Sequence, residues 1–245
     1  MPKPRQRYAL WLTGQILKIL GALLIFAVIC TIIWRVFISN IPPKEMKQLQ
    51  PTPQLAAAYA EHGEALRLYT QEQPSVTKAE SNYGYFGISR YTFIPQAKQL
   101  QIVFRYNNST LRHLQEDYAL ADRPAPGDPT LFDLTLVTVT DLTPENAEDN
   151  GEGSDTLQKE RVHPTSYQVD TTALYTYVLF VFDEIEVSDA VTAIFLDVYY
   201  REDIQYERAA YGTLLLYNSA SPDIGVKLSR KERKALEGFL SDNTP

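Results

Sequence analysis

Gln99-Leu-Gln-Ile-Val-Phe-Arg-Tyr106 puts Leu100, Ile102, Phe104 and Tyr106 on one side of an extended chain and Gln99, Gln101 and Arg105 on the other. A half-buried strand requires this period of two, and a helix cannot use it. The same reading covers Gly84 to Phe93, Leu131 to Thr140, Tyr167 to Val169 with its flanks, Leu174 to Phe182, Thr192 to Tyr200 and Ile204 to Tyr217. About seven strands are therefore expected. Tyr199-Tyr-Arg-Glu-Asp-Ile-Gln-Tyr206 reads as a tight hairpin, and no helix-length pattern separates the later strands. The expected fold is mainly β: an antiparallel β-sandwich, immunoglobulin-like in general architecture.

Leu174-Tyr-Thr-Tyr-Val-Leu-Phe-Val-Phe182 is apolar on both faces, so its second face needs a cover. Thr52 caps a helix with Pro53 in its first position, and Leu55, Tyr59, His62, Leu66 and Tyr69 recur along one side of it to about Glu72. That helix is the expected cover, with a partner protein as the alternative. His62 reads as a packing residue of the apolar stripe rather than a ligand. At the far end, Ser229-Arg-Lys-Glu232 forms a capping box that starts a short helix from Lys231 to Leu240, with Glu232 reaching back to the serine amide.

Ahead of the strands lies Ile19-Leu-Gly-Ala-Leu-Leu-Ile-Phe-Ala-Val-Ile-Cys-Thr-Ile-Ile-Trp34, a run without charge. With the stems of Lys18 and Arg35 extended, the helix reaches from about Trp11 to Ile38, and about 20 residues cross hydrocarbon. Lys3, Arg5 and Arg7 precede the run with no acidic residue, which favours a cytoplasmic N-terminus and an extracytoplasmic remainder. A cleaved signal peptide is the rival reading. Its apolar core is usually ~7–15 residues long and ends at small residues, whereas Trp34-Arg-Val-Phe-Ile-Ser follows here. The expected organisation is a cytoplasmic N-terminus over 1–9, a signal-anchor helix in the bilayer over 10–39, a juxtamembrane linker with an amphipathic helix over 40–81, the sandwich over 82–228, and a basic helix and tail over 229–245.

Cys30 is the only cysteine and lies in the apolar run, so the outer domain has no disulfide and no thiolate chemistry. A domain near 200 residues stands without disulfides, and a bacterial cell envelope is the expected setting. In a eukaryotic secretory pathway, Asn107-Asn108-Ser109 and Asn108-Ser109-Thr110 would be sequons; in a bacterium they are turn residues.

From Ile41 on, the chain carries 18 Lys or Arg against 30 Asp or Glu, which excludes nucleic acid as the expected partner. Five of the 18, Lys227, Arg230, Lys231, Arg233 and Lys234, crowd into the C-terminal segment, either as a docking signal or as a solvated face. Asp122 to Pro129 is a proline-stiffened connection, and Asp141 to Glu160 an acidic loop.

Catalytic motifs are weak. Ser75-Val-Thr-Lys78 and Ser241-Asp-Asn243 echo serine enzymes of the S-x-x-K type, but no K-T-G triplet exists and the S-D-N falls in the tail. His62, His113 and His163 are isolated, and no G-x-S-x-G elbow is present. Asp183, Glu184, Glu186, Asp189, Asp197, Glu202 and Asp203 form the acidic cluster in which paired catalytic carboxylates or a calcium site would have to lie; solvated strand ends and turns explain them more simply. No metal, cofactor or catalytic residue is expected. Among 16 tyrosines, strand residues such as Tyr175, Tyr177 and Tyr199 suit an aromatic recognition face.

The function expected from these readings is that of a membrane-anchored, non-catalytic envelope protein that binds another protein. A cell-wall glycan module and, behind it, a carboxylate-dependent hydrolase are the alternatives. Tyr175, Tyr177, Tyr199, Arg230, Lys231, Arg233 and Lys234 are the candidate partner-binding residues.

Overall fold

The structure is a computed structural model that describes residues 4–34, 42–74, 77–78, 86–141, 157–172, 174–185, 191–201, 212–218 and 225–243. The chain divides into two compact units, 1–41 and 42–245. In the first, helix α1 spans Pro4–Ile33, and Trp11–Ile33 within it is long and apolar enough to cross a membrane. By length and composition this stretch fits a membrane anchor or a signal sequence. Inside it, the Thr31 hydroxyl donates to the Ala27 carbonyl at 2.8 Å and is thereby satisfied within the helix.

The second unit is mainly sheet. Its strands are β1 (Arg67–Glu72), β2 (Thr77–Lys78), β3 (Phe86–Ile94), β4 (Gln99–Asn107), β5 (Phe132–Asp141), β6 (Leu157–Val162), β7 (Ser166–Thr171), β8 (Tyr175–Phe182), β9 (Val191–Tyr200), β10 (Gly212–Asn218) and β11 (Val226–Lys227). They form a six-stranded sheet in the order β11-β1-β3-β4-β8-β7 and a five-stranded sheet in the order β2-β10-β9-β5-β6. Every pairing among the described residues is antiparallel, as the short connections and period-two pattern imply.

The expected alternation holds in β4. Leu100, Ile102, Phe104 and Tyr106 enter a core shared by both sheets, with Phe86, Phe180, Phe132, Leu134, Leu196 and Tyr200. Phe132 of the second sheet lies 5.2 Å, centroid to centroid, from both Phe104 and Tyr106 of the first. Such ring pairs add about 0.5–1.5 kcal/mol each beyond the area they bury.

Helix α2 (Pro53–His62) starts as expected, the Thr52 hydroxyl accepting from the Leu55 amide at 3.2 Å. It does not continue to Glu72. Gly63 takes a positive φ of 53° and donates its amide to the Tyr59 carbonyl, ending the helix. Beyond it, Tyr69 to Glu72 pair with Phe93 to Arg90 of β3, so ladder bonds to a neighbouring strand override the helical spacing of the apolar residues. His62 is exposed at the helix end rather than packed.

The acidic connection is shorter than expected, because Asp141 closes β5 and Leu157–Glu160 belong to β6. Helix α3 (Thr110–Asp117) bridges β4 and the proline-rich connection, where Gly127 donates its amide to the Tyr106 hydroxyl at 3.1 Å. Gly127 has φ 88°, and a Cβ there would come within 2.9 Å of Thr171 Oγ1, so both its conformation and its space call for glycine. Helix α4 (Arg230–Asn243) runs beyond Leu240, so Ser241-Asp-Asn243 is helical instead of a frayed tail. There Ser241 Oγ donates to the Gly238 carbonyl and Asn243 Nδ2 to that of Phe239, each at 2.8 Å.

The second face of β8 is covered, but not by α2. Met46, in the segment leading into α2, packs with Val103, Tyr177 and Leu179 and is only 1% exposed. Helix α2 packs instead with α4 and the β3–β4 turn, where Leu55, Ala58, Leu66, Leu68, Ile94, Ala97, Leu228 and Leu236 form a separate cluster. Met46→Ala should therefore cost about 2–5 kcal/mol, the usual range for emptying a buried methionine site. Urea unfolding of the full chain in detergent, compared with wild type, measures it.

Candidate functional site

Two surfaces gather the residues that sequence reasoning singled out, and the first is the outer face of β4 and β8. A strap of chain, 42–52, runs along β4 in the opposite direction, Met46 lying against Val103, Gln50 against Gln101 and Thr52 against Gln99. Gln101 treats Gln50 as a neighbouring strand would. Its Oε1 accepts from the Gln50 amide and its Nε2 donates to the Gln50 carbonyl, both at 2.8 Å.

The amide chain continues along β4. Gln101 Nε2 also donates to Gln99 Oε1 at 2.9 Å, while Gln99 Nε2 donates to the Thr52 hydroxyl at 2.7 Å and to Asp183 Oδ1 at 2.6 Å. Upstream, the Arg90 guanidinium donates to the backbone carbonyls of Met46 and Lys47. Burial lowers the pKa of Arg90, which nonetheless stays charged near neutral pH. Gln99 and Gln101 are 0% and 3% exposed, although their place on the polar side of the alternation made them look solvated. The legible signal was the strand apolar on both faces beside them: a covered face must give its polar residues partners.

Of the three tyrosines, Tyr177 is fully buried under Met46 and Tyr199 lies buried on β9 of the other sheet, its hydroxyl 3.4 Å from Asp197. Tyr175 stays half-buried, with the Arg105 guanidinium 5.6 Å from its ring centroid. The structure thus brings Tyr175 and Tyr177 together, at 6.4 Å, and keeps Tyr199 apart. Tyr83, Tyr85, Tyr206 and Tyr211 lie outside the described residues.

The acidic cluster is divided. Asp183 has both oxygens engaged, by Gln99 and by the Thr165 hydroxyl at 2.6 Å, and Asp197 belongs to the other sheet. Glu186, Asp189, Glu202 and Asp203 lie outside the described residues, as do 142–156 of the acidic connection. Among the described residues no group of three His, Cys, Asp or Glu side chains is placed to hold a metal ion. His163 Nδ1 lies 3.3 Å from Asp133, whose other oxygen accepts from Thr135 at 2.6 Å.

The second surface is α4. Its capping box forms as expected, Glu232 Oε2 accepting from the Ser229 amide at 2.7 Å and Ser229 Oγ from the Glu232 amide at 3.3 Å. Leu236 is buried against α2, Tyr59 donates to Glu237 at 3.2 Å, and Arg233 pairs with Glu64 at 2.6 Å. Arg230, Lys231 and Lys234 are exposed. At ~100° per residue they occupy an arc of about 100°, roughly 140° away from that of Arg233, Leu236 and Leu240. Lys227, exposed on β11, lines a cavity with Glu64, Leu228 and Arg233 and so lies on the Arg233 side of the helix start.

Two measurements test these placements. Burial pushes the Tyr177 phenol above the ordinary tyrosine pKa, with Arg105 pulling it back. The folded state then holds this proton more tightly than the unfolded chain, so stability is full below pH ~10 and declines as the pH climbs above it. Tyr177→Phe should show a smaller loss between pH 8 and 11 than wild type, read by urea unfolding at both pH values. Ser229→Ala removes the helix cap and should cost about 1 kcal/mol, whereas Arg233→Ala, which breaks a largely solvated pair, should cost about 1 kcal/mol or less.

No family model, curated protein or solved structure matches the chain.

Proposed function

We propose that this chain is a membrane-anchored, extracytoplasmic, non-catalytic component of a bacterial cell envelope, and that it holds a protein partner close to the membrane surface. Its β-rich unit is read as a two-layer sandwich of immunoglobulin-like general architecture. The observation that carries the reading is the strap: the chain is already tied to the sheet at Met46, leaving only 34–45 between the apolar helix and a fixed residue. A domain tethered this closely keeps its surfaces near one membrane, which raises the effective concentration of any partner there. The basic residues ahead of the helix favour the outward orientation.

A protein partner is favoured over glycan. Sugar stacking needs open rings, and Tyr177 and Tyr199 bury theirs, while the rigid α4 offers exposed charge suited to a protein surface. Protease added to intact protoplasts should remove the C-terminal unit and leave the N-terminal helix in the membrane fraction. A unit digested only after lysis would overturn the orientation, and a unit released in soluble form without protease would make the helix a signal sequence.

A further inference from the structure

Arg230, Lys231 and Lys234 of α4 all face solvent. No acidic group among the described residues pairs with Arg230, Lys231 or Lys234, whereas Arg233, one residue from Lys234, is committed to Glu64. The helix that carries them is fixed by its capping box, by buried Leu236 and by Tyr59. The backbone that carries them is therefore set before any ligand arrives, which lowers the ordering cost of binding.

The chemistry of the arc narrows the ligand. A helix that lies within a lipid surface inserts large apolar residues, whereas exposed cations alone can bind only anionic headgroups, which the vesicle arm of the test reads. Here Leu236 is buried and Phe239 and Leu240 are half-buried, and the outward arc of Arg230, Lys231 and Lys234 contains no apolar side chain. Two of the three cations are lysines, mobile point charges that match a row of carboxylates better than one planar or phosphate group. Arg230 and Lys234 are separated by about 6 Å of helix rise. Alternate residues of an extended chain are about 6.6–6.8 Å apart.

We propose that Arg230, Lys231 and Lys234 dock an extended acidic segment of a protein partner that carries carboxylates at alternate residues. This rests on the partner-holding reading above and adds the chemistry of the partner. Arg233 is a positioning residue that latches the helix and does not touch the ligand.

The test uses the full chain in phosphatidylcholine nanodiscs and a fluorescein-labelled ten-residue peptide of alternating Glu and Ser, followed by anisotropy. Wild type should bind it, with affinity falling at least threefold between 50 and 200 mM salt. A peptide of the same composition with its five Glu residues consecutive should bind more weakly. Arg230→Glu, Lys231→Glu and Lys234→Glu together should weaken binding tenfold or more, and the corresponding triple change to Gln, which adds no repulsion, should weaken it by a smaller factor. Peptide binding unchanged in both triple variants, or absent in wild type, would overturn the proposal. So would wild type that binds phosphatidylglycerol vesicles and ignores the peptide. Each of these results would leave the protoplast experiment, and the tethered-domain reading it tests, standing.

Discussion

Strand β4 is buried on both faces, and most of the domain's organisation follows from the need to cover the outer one. Its inner side fills the shared core with Leu100, Ile102, Phe104 and Tyr106; its outer side presents Gln99, Gln101 and Val103, all nearly inaccessible. A buried amide without a partner costs about 1–3 kcal/mol, so the cover has to supply hydrogen bonds as well as apolar contact. The strap meets both demands. Met46 fills the space between Val103, Tyr177 and Leu179, and the backbone of Gln50 satisfies the Gln101 amide on both its donor and acceptor sides. The segment that leads away from the apolar helix is thereby part of the fold. Peeling it off would expose an apolar patch and leave the two glutamines short of partners at once.

How much of this was legible depends on whether an element's signal is local. The inner face of β4, the antiparallel pairing, the Thr52 cap and the Ser229–Glu232 capping box are all written within a few residues, and each formed as read. The stretch Leu66 to Glu72 was misread because apolar residues three and four apart fit a helix, while the pairing that makes it a strand comes from β3, about twenty residues on. Short strands at the sheet margins, Thr77–Lys78 and Val226–Lys227, carry too few residues to show any period.

The outer-face site was half legible. An apolar run on both faces of β8 announced that a cover exists, and α2 was the nearest amphipathic candidate. Its own apolar residues turned out to be needed against α4, so the role fell to a single methionine in a segment with no periodicity at all. Gln99 and Gln101 looked solvated because glutamine usually is. Their burial follows from the strap, which one strand's alternation cannot reveal. The tyrosines illustrate the same limit: composition counts rings but does not say which of them, like Tyr177, have their faces filled from within the chain.

The C-terminal helix separates charge from stability. Arg233 and Lys234 are adjacent and carry the same charge, yet one step of about 100° turns the first toward Glu64 and the second to solvent. Docking of α4 is accounted for by Leu236, Tyr59, Arg233 and the capping box. The outward cations add nothing to it, and at the start of a helix they oppose the backbone dipole, which favours acidic residues there. Their concentration in a unit with an excess of acidic residues has no structural use among the described contacts. A set of charges that the fold tolerates at some cost, held on an element it otherwise fixes firmly, is where recognition is best sought.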